Sequence, residues 1–187
     1  MNELTILALS GSLRAQSHNT ALLHAARTLS LGGPAIAIED DLGRLPLYNQ
    51  DLDSGTPPVT VAEFRARIAA ADALLIATPE HNASVPAALK NAIDWASTPP
   101  EGLLRGKPVA IAGASPGPFG SVRAQLALRQ ILAAVGAEVV VKPEVTVFHC
   151  DTRFTSEREL SDPYTADLLR ELLNALSRKV RPYTAAE

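Results

Sequence analysis

Residues 4–20 read LTILALSGSLRAQSHNT. The first six are apolar apart from Thr5, too few for a helix and apolar on both alternating faces, so they specify a strand covered on both sides. The next eleven set Ser10, Ser12, Ser17, Asn19 and Thr20 around one arginine, Arg14, and one glycine, Gly11. A helical pattern over Thr20–Leu29 follows. A buried strand, a donor-rich turn and a helix form the first half of a β-α-β unit.

The same rhythm continues along the chain. Strands are expected at Thr5–Leu9, Ala35–Glu39, Ala73–Thr78, Val109–Ala112 and Glu138–Val141. Helices are expected at Thr20–Leu29, Val59–Ala71, Pro86–Trp95, Ser121–Val135 and Asp162–Lys179, the last with Ser161 as its N-cap. Strand and helix in alternation predict an α/β fold, a parallel sheet with helices on both faces. Two long connections, 40–58 and 149–162, exceed the length of ordinary loops and are read as functional or mobile. RPYTAAE at 181–187 reads as a frayed end.

The 187 residues suit a single domain over 1–187. The net charge of −3 is spread along the chain, which argues against nucleic acid as a partner. One cysteine, Cys150, permits no intrachain disulfide and points to a cytoplasmic protein. The opening MNELTILALSGS reads as a strand rather than a signal peptide, and no apolar run reaches bilayer length, so no membrane association is expected.

Ligands of open parallel sheets bind beyond the C-terminal strand ends, where strand order reverses. Three strands run there into polar turns: SGSLRAQSHNT, PEHNASVP and GASPGPFGS. The first lacks the glycines of a Walker loop or a dinucleotide fingerprint, and lacks the Walker lysine. Its side-chain donors suit one terminal phosphate at a helix N-terminus, and they equally suit simple capping of that helix. In the second, Pro79 and Pro86 stiffen a surface fit to lie against a flat ligand. Glu80 there reads alternatively as a solvated carboxylate. In the third, Gly113, Gly117 and Gly120 permit close backbone approach, and Phe119 is either a cover or packing. Trp95 is read as core, Lys90 and Asp94 as a surface ion pair, and Cys150 as a small buried or loop thiol. His18, His24 and His149 lack ligand spacing, so no metal is expected.

The stretches GSLRAQSHN, PEHNASVPAALKNAIDW and ASPGPFGSVRAQLALRQIL, with LPLYNQDL at 45–52, resemble the NADPH-dependent FMN reductase family, which includes chromate, quinone and azo-dye reductases. The resemblance runs from about residue 4 to about 150. It implies a flavodoxin-like, doubly wound, five-stranded parallel sheet of order 2-1-3-4-5 with FMN at its C-terminal edge. Carried over by position, Ser12, Arg14, Ser17, Asn19 and Thr20 hold the FMN phosphate. Pro79, Glu80, His81, Asn82 and Ser84 line the isoalloxazine, and Ser115, Gly117 and Gly120 flank the ribityl chain and ring. NADPH or NADH then reduces the flavin at N5, and a quinone, chromate, azo compound or free flavin reoxidises it in a ping-pong cycle without a catalytic side chain. A homodimer or homotetramer is implied, with 40–58 near the partner. His81 replaces the family tyrosine, which predicts an altered acceptor preference or altered subunit contacts. Ser121, in place of a family glycine, is expected as a helix cap. Two rivals stand beside this reading: a flavodoxin-type electron carrier without NAD(P)H oxidation, and a nucleotide-monophosphate transferase or hydrolase.

Overall fold

The computed structural model describes residues 4–98 and 102–180; the expectation about 181–187 lies outside them. β1 (Thr5–Ser10), β2 (Ala35–Glu39), β3 (Ala73–Ala77), β4 (Pro108–Ala114) and β5 (Glu138–Val139) lie in the order β2-β1-β3-β4-β5, every pair parallel. The strand order reverses at β1, whose two neighbours are β2 and β3. The C-terminal ends of β1, β3 and β4 therefore sit side by side.

The sheet departs from expectation at its fifth position. The run 138–147 was expected to supply one strand, Glu138–Val141, but it supplies two short ones. β5 pairs with Pro108–Val109, and β6 (Val145–Val147) pairs with Ala112–Ala114. Between them stands Pro143, which has no N–H to give the ladder.

Period-two alternation divides the core into two layers. Ile6 and Ala8 of β1 face one side, and Leu7 and Leu9 the other. The first layer packs on α1 (His18–Leu29) and α6 (Pro163–Val180). Many of its strand residues are small, among them Ala8, Ala73, Ala77, Ala110, Ala112 and Ala114, beside the larger Ile6, Ile36 and Leu75. The second packs on α3 (Val59–Ala70), α4 (Ala87–Ser97) and α5 (Val122–Ala134), with Trp95 fully buried as expected.

The connection 40–58 is held rather than loose. It contains a 3-10 turn at Leu42–Arg44 and the short α2 (Gln50–Asp53). Asn91 and Trp95 both donate to the Pro46 carbonyl, at 2.9 and 2.7 Å. Arg65 grips Asp53 through two bonds of 2.7 and 2.8 Å. The start of α6 also differs from expectation. Asp162, not Ser161, accepts from the Thr165 N–H at 2.9 Å, and it accepts from Arg153 as well. Among the described residues, no helix is long and apolar enough to cross a membrane.

Candidate functional site

The turn after β1 leads into α1 through Ser17, whose hydroxyl oxygen accepts from the N–H groups of Asn19 and Thr20 at 3.1 and 3.2 Å. This is an ordinary N-cap. Thr20 and Ser10 share a hydrogen bond of 2.8 Å. Ser12 is buried, and Arg14 is exposed. Among the described residues, the N–H groups of Leu13, Ala15, Gln16 and His18 meet no acceptor. A row of free donors ending at a helix N-terminus suits an anion.

Asn19 is committed elsewhere. Its side-chain amide donates to the Ala114 carbonyl and accepts from the Ala114 N–H, both at 2.9 Å, with both residues buried. The start of α1 is thereby fastened to the end of β4, just before Ser115. The turn after β1 and the glycine-rich turn are thus joined by two buried hydrogen bonds.

The turn after β3 is tighter than its sequence suggests. His81 and Ser84 exchange backbone bonds of 3.0 and 2.9 Å. Asn82 and Ala83 between them have φ of 50° and 61°. Two left-handed central residues define a type I′ turn. Asparagine is at home there, whereas alanine pays about 1–2 kcal/mol for the left-handed region. Such strain is found where loops are shaped for ligands.

Glu80 is no solvated carboxylate, since its side chain is only 7% exposed. It accepts from the N–H groups of Arg123 and Ala124 at 2.9 and 3.3 Å and from Arg123 Nε at 2.6 Å. It therefore caps α5 from another loop. Ser121, expected to cap that helix, stands at the N-cap position without a capping bond, and its hydroxyl accepts from Gln125 instead. Burial pushes the Glu80 carboxyl upward, but the hydrogen bonds from the Arg123 side chain and from the Ala124 and Arg123 N–H groups outweigh it and hold it below its ordinary value. A depressed folded value stabilises the fold above the unfolded carboxylate range, and that contribution is lost as pH falls through the folded value. Glu80→Ala is expected to cost about 2 kcal/mol at pH 7 and distinctly less near pH 3, as read by urea denaturation at the two pH values. An equal loss at both would contradict the role of the charge.

The glycine-rich turn depends on two close approaches. An added Cβ on Gly113 would fall 2.4 Å from the Thr78 carbonyl oxygen and 2.0 Å from Ser121 Oγ. Gly120 has φ of 56°, and its Cβ would fall 2.5 Å from Thr146 Cγ2. Ser115 N–H donates to the Val147 carbonyl at 3.0 Å, so β6 backs this turn. Glu80, Asn82, Ala83, Ser115, Gly117, Phe119, Gly120 and Arg123 surround a cleft of about 460 Å³. Pro79, His81 and Ser84, in the same turn as Glu80, Asn82 and Ala83, do not line it. Ser17 and Thr20 line a separate cavity of about 590 Å³ along α1. Ser12, Arg14 and Asn19 line neither.

Reading the sequence missed the α5 cap of Glu80, because its partners lie 43 and 44 residues away. It also passed over Arg123, which stands between Glu80 and the exposed Phe119 ring, 5.6 Å from the ring centre. Cys150 is buried, and burial pushes its thiol up to about 11, as befits a packed residue rather than a nucleophile.

The residues at the sheet edge fit FMN. The free donors of the first turn match a phosphate. The 460 Å³ cleft between the second and third turns, with Phe119, Pro118 and the glycine backbone beside polar Asn82 and Ser115, has room for a flat ring system, and the Asn19–Ala114 clamp joins the first turn to the third.

Comparison with known proteins agrees with this geometry. Residues 4–151 match the family described as NADPH-dependent FMN reductase. The chain is 45% identical to an NAD(P)H-dependent FMN reductase of Pseudomonas aeruginosa over 181 residues, covering 96% of this chain and 97% of the relative. It is 44% identical to an NADPH:quinone oxidoreductase of Arabidopsis thaliana over 176 residues, covering 91% and 89%. Among solved structures, the flavoenzyme NAD(P)H:(acceptor) oxidoreductase FerB of Paracoccus denitrificans superposes with a TM-score of 0.85 at 34% identity, covering 95% and 97%.

Proposed function

The chain belongs to the NADPH-dependent FMN reductase family, and from that premise we propose that it passes electrons from NAD(P)H through FMN to a small acceptor, a quinone in the first instance, by a ping-pong cycle. It is an FMN-dependent NAD(P)H oxidoreductase with the flavodoxin-like sheet. The observation that carries the reading is the union of three loops at the strand-order reversal, fastened by the two Asn19–Ala114 hydrogen bonds.

FMN, when bound, supplies the two-electron chemistry. The chain's residues bind and orient it. The first turn, with Ser12, Arg14, Ser17 and Thr20, holds the phosphate, and Asn19 sets where that turn stands. Pro79, His81, Asn82 and Ser84 shape the wall beside the ring. Ser115, Gly117 and Gly120 flank the ribityl chain and ring edge. Glu80 fixes Arg123 and the start of α5 at the cleft mouth. Held below its ordinary value and bonded to N–H groups, Glu80 serves as a helix cap rather than as a proton donor, and no catalytic side chain is proposed. The two substrates take turns at one open cleft, which is the physical reason for ping-pong order.

Steady-state rates with NADPH and a benzoquinone varied together test this. Parallel double-reciprocal lines are expected. Intersecting lines contradict the single shared cleft, and absence of NAD(P)H oxidation by the flavin-loaded protein favours the electron-carrier alternative. The chain is further proposed to fold as one cytoplasmic domain and to form a homodimer or homotetramer. Exposed Phe119 in the preceding turn, and exposed Val122 and Leu126 four residues apart in the first turns of α5, support the assembly. Sedimentation of a monomer at micromolar concentration would contradict it.

A further inference from the structure

The geometry points to Arg158 as a further residue of the flavin's phosphate site, carried there by the 149–162 connection. This rests on the reading of the first turn as an FMN phosphate site, and it concerns a residue beyond the 4–151 span that the family match covers.

The connection folds back on itself. Phe154 and Leu160 form an antiparallel bridge, Thr155 N–H donates to Glu159 O at 2.8 Å, and Arg158 N–H donates to Thr155 O at 3.0 Å. Arg158 stands in this turn with φ of 65°. From there its guanidinium crosses to the start of α1. Nη2 donates to Gln16 Oε1 at 3.0 Å, and Nη1 lies 3.4 Å from His18 Nε2. Gln16 and His18 bracket Ser17, the cap of α1. An arginine some 140 residues away in sequence is thus fastened to both sides of the helix N-terminus.

The bonding leaves its charge unanswered. A guanidinium only donates, so His18 Nε2 must accept from Arg158 and Nδ1–H must donate to Cys150 Sγ, 3.3 Å away. That tautomer is the neutral imidazole. In accord with it, burial first and the Arg158 charge second hold His18 below its ordinary value, with Arg14 adding to the effect and Asp151 opposing it. Both side-chain partners of Arg158 are therefore neutral. Asp151 lies 3.9 Å from His18 Nε2 and is itself exposed. Arg158 lines the 590 Å³ cavity together with Ser17 and Thr20. Asp40, Glu157 and Glu159 line it too, and the place assigned to the anion is beside Ser17. There the helix N-terminus, Arg14 and Arg158 add their positive potential. A phosphate monoester is the chemistry such a place takes.

The test titrates the flavin-stripped wild type and Arg158→Gln with FMN and, separately, with riboflavin, following flavin fluorescence. Riboflavin has the same ring and ribityl chain without the phosphate. The expected result is a rise of about tenfold or more in the Kd for FMN, a riboflavin Kd within about twofold of wild type, and partial recovery of FMN affinity in Arg158→Lys. Thermal midpoints serve as the control for folding. An unchanged FMN Kd overturns the assignment, as does an equal weakening of FMN and riboflavin, which would mark Arg158 as merely structural. A wild-type protein that takes up no FMN overturns the cofactor reading itself and this assignment with it, so the two failures are told apart.

Discussion

Replacing Asn19 by alanine is expected to lower stability by about 3 kcal/mol, since it strands a buried N–H and a buried carbonyl at once. Both groups belong to Ala114, which is 2% exposed, and both meet the Asn19 amide at 2.9 Å. In a domain of this size such a loss lowers Tm by roughly 6–12 °C. The amide also fixes the first turn against the glycine-rich turn, so FMN affinity is expected to fall with stability. Asn19→Asp discriminates further. It keeps an acceptor for the Ala114 N–H but sets a carboxylate against the Ala114 carbonyl, and it should be no better than alanine. A urea midpoint for Asn19→Ala within error of wild type would show that the clamp does not hold the site together.

The second large effect is expected at Gly113. A methyl group there would stand 2.4 Å from the Thr78 carbonyl oxygen, which is backbone and cannot rotate away, and 2.0 Å from Ser121 Oγ. Gly113→Ala should therefore cost about 3 kcal/mol, the upper part of the usual range for overpacking. The shift it forces separates Thr78, which leads into Pro79 and Glu80, from Ser121, which leads into α5. The 460 Å³ cleft lies between those two segments, so loss of bound flavin is expected alongside loss of stability. Adding Ser121→Gly removes only the hydroxyl half of the conflict and should restore part of the stability. Full restoration by the double variant would show that the backbone contact with Thr78 is not limiting. Wild-type stability in Gly113→Ala alone would contradict the close approach altogether.

How much of this was readable from the chain depends on the range of the interactions. β1 and β3 are apolar nearly throughout, and their positions follow from local pattern. The five long helices were legible to within about two residues because their apolar faces repeat at helical spacing, whereas the single turn of α2 was read as part of a loop. The break between β5 and β6 was not, since VVVKPEVTV reads as one β-rich run and only the pairing with β4 reveals two registers. Ser161 and Asp162 are both good caps, and the choice fell to Asp162, which also receives Arg153. The candidate residues were found by type, but their duties were set by distant partners. Asn19 was read as a phosphate donor, and its side chain also braces α1 against β4, which only the fold reveals. Glu80 was read as part of the isoalloxazine wall, with a solvated carboxylate as the alternative, and its carboxylate proves to cap a helix that begins more than 40 residues later. Arg158 carried no signal at all, because its relation to Gln16 exists only once the 149–162 connection has folded back.

The measurement that bears most directly on the central claim is the visible spectrum of the purified protein loaded with FMN, followed in the absence of oxygen. FMN is expected to bind in about one-to-one ratio. One equivalent of NADPH or NADH should bleach the flavin bands, and a benzoquinone added afterwards should restore them. A protein that shows no flavin bands after addition of FMN, or whose bands stay unbleached by both nicotinamide cofactors, would contradict the account.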